Sequence, residues 1–295
     1  MLRQLLLVVA LLGLPALALA AEGDAACLEC HGDPAMTADL PAGGSLSMFV
    51  DGKQFQGSVH GKQGLSCTDC HAGMTPDHAT GELSAPTREA LARKSSEVCA
   101  SCHDQVAETF AKSVHGRDPS NPDLPACSQC HDVHRMADTA AARLALQTPL
   151  LCGSCHTDEK RMKKYDISTN VVDTYLADFH GMVTTFQRAG RPDERTRLAA
   201  ACTDCHGVHD IQKTDDPSSR VIAANLLQTC QRCHEGAPPM FPQAWLSHWE
   251  PSPRRAPAVW GVLQFYRIMI PFMMSGLLLQ IGLHVWLFAR KKRNP

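Results

Sequence analysis

Fourteen cysteines in a chain of 295 residues fall into seven runs of one pattern, Cys-x-x-Cys-His, and none is left over. The runs are Cys27–Cys30–His31, Cys67–Cys70–His71, Cys99–Cys102–His103, Cys127–Cys130–His131, Cys152–Cys155–His156, Cys202–Cys205–His206 and Cys230–Cys233–His234. A chain with every thiol committed to such pairs must fold around whatever the pairs hold. A redox disulfide and a zinc knuckle both use CxxC, but neither demands a histidine directly after the second cysteine. Covalent attachment of c-type haem does. Two thiols three positions apart reach the two vinyl-derived carbons on one edge of the porphyrin, and the next residue brings its imidazole under the iron. The pattern therefore predicts seven covalently attached haem c groups, held by the fourteen cysteines, with His31, His71, His103, His131, His156, His206 and His234 as proximal ligands.

The chain has fifteen histidines. Setting aside the seven proximal ones and His284, which lies in an apolar segment, leaves His60, His78, His115, His134, His180, His209 and His248. The match in number permits an iron with two histidine ligands at every site. His60 (FQGSVHG), His115 (FAKSVHG) and His180 (YLADFHG) share a context, with an aromatic five residues earlier (Phe55, Phe110, Tyr175) and a glycine directly after. This predicts a short helix stopped by the glycine, with the histidine at its C-terminus projecting onto a haem. His134 (CSQCHDVH) and His209 (CTDCHGVH) each follow a proximal histidine by three positions. On a helix such positions share a face, whereas the two axial ligands of one iron approach from opposite sides of a flat ring. Each is therefore expected at the iron of a neighbouring haem, drawing two haems together. His78 (GMTPDHATG) and His248 (WLSHWEP) lack such context. Met36, Met48, Met74 and Met240 are alternative sixth ligands, and a missing ligand would leave an open iron.

A two-haem unit recurs over 27–78, 99–134 and 152–209, and 230–248 has the form of half a unit. The exported part offers roughly 34 residues per haem, too few for a side-chain core around each. The expected fold is mainly α with long loops: short helices around stacked haems and little sheet. Short helices are expected over 88–94 and 157–164, and connectors over 117–125 (RDPSNPDLP) and 250–257 (EPSPRRAP).

Both ends are apolar. Residues 1–20 have a short positive start, an apolar run and a small-x-small close, the form of a secretory signal peptide. Residues 268–288 hold no formal charge and are long enough to cross a bilayer. Trp260, Tyr266 and Trp286 sit at interfacial positions, and Arg290, Lys291, Lys292 and Arg293 follow the span, so the tail 289–295 is expected in the cytoplasm. The resulting organisation is signal peptide 1–20, periplasmic seven-haem domain 21–249, linker and interfacial segment 250–267, transmembrane helix 268–288 and tail. His284 reads as an interfacial histidine reaching toward the headgroups, with a haem b or quinone contact as the alternative. Residues 21–255 carry 22 Lys+Arg against 30 Asp+Glu, a formal charge of −8, which excludes a nucleic-acid partner held by charge.

The seven motifs, with the SVHG and CxxCHxxH runs between them, resemble the bacterial multihaem c-type cytochromes over most of residues 27–248. The resemblance implies a multihaem cytochrome c array with one C-terminal membrane helix. The SVHG and CxxCHGxH combination is also similar to octahaem tetrathionate reductases and related nitrogen-cycle cytochromes. Membrane attachment resembles the quinol dehydrogenase cytochromes that feed periplasmic nitrate and nitrite reductases, although their anchor is N-terminal and this one is C-terminal. The nitrite reductase family binds its catalytic haem through CxxCK, which this chain lacks.

The expected function is electron transport. A haem domain in the periplasm, anchored in the inner membrane, would take electrons from a membrane cytochrome b or quinol dehydrogenase subunit. It would pass them to a periplasmic or outer-membrane redox partner. The alternative is a reductase acting on nitrite, hydroxylamine or tetrathionate at one five-coordinate haem; electron transfer is favoured over catalysis.

Overall fold

The structure, a computed structural model, describes residues 24–78, 85–138, 142–190, 198–244, 248, 251–254 and 256–293. The signal-peptide expectation for 1–20 lies outside the described residues. Helix dominates. In the first unit, α1 covers residues 24–31. A hairpin of β1 (Thr37–Asp39) and β2 (Ser45–Ser47) follows, antiparallel with Thr37 opposite Ser47. Then come α2 (Gly52–Gly57), α3 (Val59–Lys62) and α4 (Cys67–Cys70). The second unit holds α5 (Arg88–Cys102), α6 (Asp104–Ala111) and α7 (Cys127–Cys130). The third holds α8 (Ala142–His156), α9 (Glu159–Met162), α10 (Val171–Ala177), α11 (Phe179–Ala189) and α12 (Cys202–His206). Beyond it lie α13 (Ala223–Gln231) and the long α14 (Pro257–Arg293).

The motifs alternate between two settings. The first, third and fifth lie in α1, α5 and α8, at or near the helix end, and the seventh begins in the last turn of α13. The second, fourth and sixth are α4, α7 and α12, little more than one turn each. So short a helix needs help at its first turn. The third residue of each motif supplies it by reaching back to the preceding backbone N–H. Ser66 donates to Asp69 Oδ2 (2.6 Å), Ala126 to Gln129 Oε1 (2.8 Å) and Ala201 to Asp204 Oδ2 (2.6 Å). The expectation of helix over 88–94 was too short, because the third motif continues α5 to Cys102 and His103 N–H still bonds Cys99 O at 2.9 Å. The 157–164 segment is α9 followed by a 3-10 turn, Lys163–Tyr165.

The segments bearing His60, His115 and His180 depart from expectation. The glycine does not stop a helix there. The break comes two residues before the histidine, at Ser58, Ser113 and Asp178, whose side-chain oxygens accept from the N–H of Gly61 (3.1 Å), Gly116 (3.2 Å) and Gly181 (2.9 Å). The histidine therefore opens a new turn instead of closing an old one. Glycine is required because the chain doubles back. A Cβ on Gly61, Gly116 or Gly181 would lie 2.3, 2.1 or 1.9 Å from the carbonyl oxygen of Phe55, Phe110 or Tyr175.

Side chains make little core. Among the described residues, ten hydrophobic residues are buried and six of them are alanine, too little apolar volume to organise a domain of this length. Tyr175 is the largest of the ten. Its hydroxyl bonds Thr184 Oγ1 and the Ala200 carbonyl, both at 2.9 Å, tying α10 and α11 to the strand of chain that enters α12.

The helix α14 has 37 residues, about 55 Å at 1.5 Å per residue. It is long and apolar enough to cross a membrane, and its apolar span is not buried against the rest of the chain. It starts at Pro257, so most of the expected linker 250–267 is already helical, and it runs into the expected tail.

Candidate metal centres

In the second, third, fourth and seventh motifs, the histidine N–H bonds the carbonyl of the first cysteine, at 2.9 to 3.0 Å. That single turn turns both thiols and the imidazole toward one side. The fourteen cysteines are all free. Among the described residues no group of three or more His, Cys, Asp or Glu is placed to hold a metal ion, so the zinc reading finds no tetrahedral set. Burial first, and then Asp24, pushes the Cys67 thiol up to about 12, and burial followed by Asp204 pushes Cys205 up to about 11.

The histidines are brought together in pairs, one from a motif and one from outside any motif. Ring centres are 6.0 Å apart for His31–His78, 6.1 Å for His103–His60, 6.2 Å for His71–His134 and 6.3 Å for His156–His115. They are 6.0 Å apart for His131–His209 and 6.1 Å for both His234–His180 and His206–His248. Two metal–imidazole bonds of about 2 Å through one metal, plus half a ring on each side, come to about 6 Å. Imidazoles packed directly on each other would sit closer. The donor set therefore fits an iron between each pair, and the methionines weighed in the sequence are not needed. His78 and His248, the two with least local context, are paired like the rest.

Burial favours the neutral form, which has a free nitrogen lone pair, at eight of these rings. It is the largest cause of the lowering at His115 and His206, both to about 4, and at His71, His131, His134, His156, His209 and His248. At His31, Nδ1 lies 2.9 Å from the carbonyl of Met48, which leaves the other ring nitrogen to face its partner.

The pairing crosses between units. His134, in the second unit, faces His71 in the first, and His60, in the first, faces His103 in the second. The second and third units exchange His209 and His115 in the same way, and the third exchanges His248 and His180 with the last half-unit. Only His31 and His78 share a unit. Main-chain bonds pin the exchanged segments to one another: Val59 N–H to Met136 O and Val114 N–H to Ile211 O, both 2.9 Å. His134 and His209, expected to serve a neighbouring haem, lie opposite His71 and His131 rather than opposite the histidines of their own motifs.

Thiols of successive motifs also act on one another: Cys27 on Cys67, Cys102 on Cys70, Cys127 on Cys99, Cys155 on Cys130 and Cys230 on Cys205, each raising the thiol after burial has done so. Cys202 is the largest cause of the raised Cys152 thiol. These couplings follow chain order from the first motif to the seventh. Side chains just upstream of one motif support the next: Cys67 N–H donates to Asp24 Oδ1 (2.8 Å) and Cys127 N–H to Ser96 Oγ (3.2 Å). Sequence reasoning missed these supports and the Ser58, Ser113 and Asp178 breaks. The recurrence of Ser or Asp two residues before a His-Gly pair was the available signal.

Residues 53–132 match the family described as cytochrome c7 and related cytochrome c, a stretch that contains the second, third and fourth motifs whole. The cytochrome c-type protein NrfB of Escherichia coli O6:H1 is 26% identical over 152 residues, covering 46% of this chain and 67% of that protein. No solved structure matches the chain.

Proposed function

Given a chain of the multihaem c-type cytochrome kind, we propose that it is a seven-haem electron carrier anchored by α14 in the inner membrane, with its haem domain in the periplasm. Its donor is a membrane quinol-oxidising or cytochrome b partner, and its acceptor a periplasmic or outer-membrane redox protein. Haem c supplies an iron that takes up and releases one electron. The chain's residues do the rest. The fourteen cysteines tether the groups, the seven motif histidines hold one face, and His78, His134, His60, His209, His115, His248 and His180 hold the other. Electrostatic coupling between the thiols of successive motifs follows chain order, which supports a row in which each haem neighbours the next in sequence.

The observation that carries the reading is that every motif histidine has a second histidine at the same spacing. A reductase of nitrite, hydroxylamine or tetrathionate needs a resting iron with an open position, and no pair leaves one. Electron paramagnetic resonance of the oxidised holoprotein tests this. Seven low-spin ferric centres per chain are expected. A high-spin signal amounting to one haem, accompanied by turnover of one of those oxyanions or of hydroxylamine, would favour the reductase instead.

A further inference from the structure

The seven pairs are alike in spacing but not in how their second histidine is held. His60 and His115 follow a side-chain break and are pinned by a main-chain bond to the neighbouring unit. His78 has neither support. It lies in the described stretch 72–78, in which every residue is exposed, and a Cβ added at Gly73 would meet nothing. Among the described residues its hydrogen bonds stay local: Met74 N–H to His71 O (3.1 Å), His78 N–H to Thr75 O (3.0 Å) and His78 Nδ1 to Thr75 O (2.8 Å). Of the seven second histidines His78 alone is exposed, and it alone shares a unit with its partner. The partner is firmly placed, since His31 bonds Met48 O beside the β1–β2 hairpin.

We propose that His78 is the exchangeable ligand of this protein, so that the site opposite His31 admits a small exogenous ligand of the carbon monoxide or nitric oxide class, which bonds iron through one atom. The physical reason is local stability. A segment with exposed residues and only local hydrogen bonds opens at much lower free energy than one locked between two units. Release of the imidazole breaks one coordinate bond, the incoming ligand's lone pair forms another, and no electron is gained or lost. The His60 and His115 segments are bonded into the neighbouring unit, and the remaining second histidines are half-buried, so those six sites stay closed. This inference rests on the seven-pair reading and places an opening at the end of the row remote in the chain from α14.

The test is carbon monoxide binding to the dithionite-reduced, full-length holoprotein, followed by absorption, with haem counted on the same sample as the pyridine haemochrome. One carbon monoxide per seven haems is expected, at a rate that levels off with ligand concentration because imidazole release limits it. His78→Ala should keep that stoichiometry, bind at least tenfold faster with a rate linear in concentration, and show one high-spin ferric haem in the resting state. His78→Met, which retains a sixth ligand, should restore the low-spin state and serves if the alanine variant is poorly assembled. Seven haems with no carbon monoxide uptake would overturn the inference while leaving the seven-pair reading intact. So would a His78→Ala variant that binds two. A count below seven haems would bring down the reading itself.

Discussion

A glycine beside His60, His115 and His180 shows how much one hydrogen atom decides. Gly116 follows His115, and a methyl group there would lie 2.1 Å from Phe110 O. Gly116→Ala therefore forces the turn open and moves His115 away from His156. We expect a stability loss of about 1–3 kcal/mol, read by chemical denaturation of the holoprotein, together with one haem of altered spin state. Unchanged spectra and midpoint would show that the close approach is not obligatory. The sequence displayed these glycines plainly, but their role was misread as helix termination. A glycine after a helix is so often a stop that the competing cause, a Cβ clash with a carbonyl oxygen across a kink at each of the three, leaves no separate trace in a linear pattern. The Asp, Gln and Asp at the third position of the second, fourth and sixth motifs were equally visible and equally silent, since their capping role depends on α4, α7 and α12 being isolated turns.

Helices and loops carry the exchange of ligands. Spacing led to the expectation that His134 and His209 serve a neighbouring iron, on the premise of a shared helix face, although the helices end at Cys130 and His206 and both histidines lie in the turns beyond them. It did not show the partners, since these lie 63 and 78 positions back in the chain, beyond any helical or hairpin rule. Double variants test the crossing. His60→Ala and His103→Ala act on one iron if the pairing is right, so the double variant loses one low-spin haem, as each single variant does. His60→Ala with His71→Ala acts on two and loses two. The opposite outcome, two lost in the first combination and one in the second, would place His60 within its own unit. The exchange also explains why so few buried side chains suffice. Consecutive units are joined by two reciprocal histidine pairs and, among the first three units, by a main-chain bond such as Val59 N–H to Met136 O, while few side chains are buried.

For the molecule as a whole, the mainly helical character, the small amount of sheet and the single C-terminal apolar helix were legible because each follows from motif density or hydropathy. The start of α14 at Pro257 was not, because interfacial residues such as Trp260 and Tyr266 do not distinguish helix from linker. The formal charge of −8 over residues 21–255, to which haem propionates add, predicts electrostatically steered docking with a positively charged acceptor. The second-order rate of electron transfer from the reduced holoprotein to a basic soluble cytochrome should fall steeply as salt is raised from low to physiological ionic strength. A flat response would show that overall charge does not guide the encounter.

The crossed pairing of histidines is the claim on which the rest stands, and a cryo-electron microscopy map of the full-length holoprotein fine enough to show ring planes tests it most directly. Seven porphyrin discs are expected in chain order, with His78, His134, His60, His209, His115, His248 and His180 opposite the motif histidines of the first to seventh. A disc bound by two histidines of its own unit anywhere past the first, or a motif carrying no disc, would contradict it.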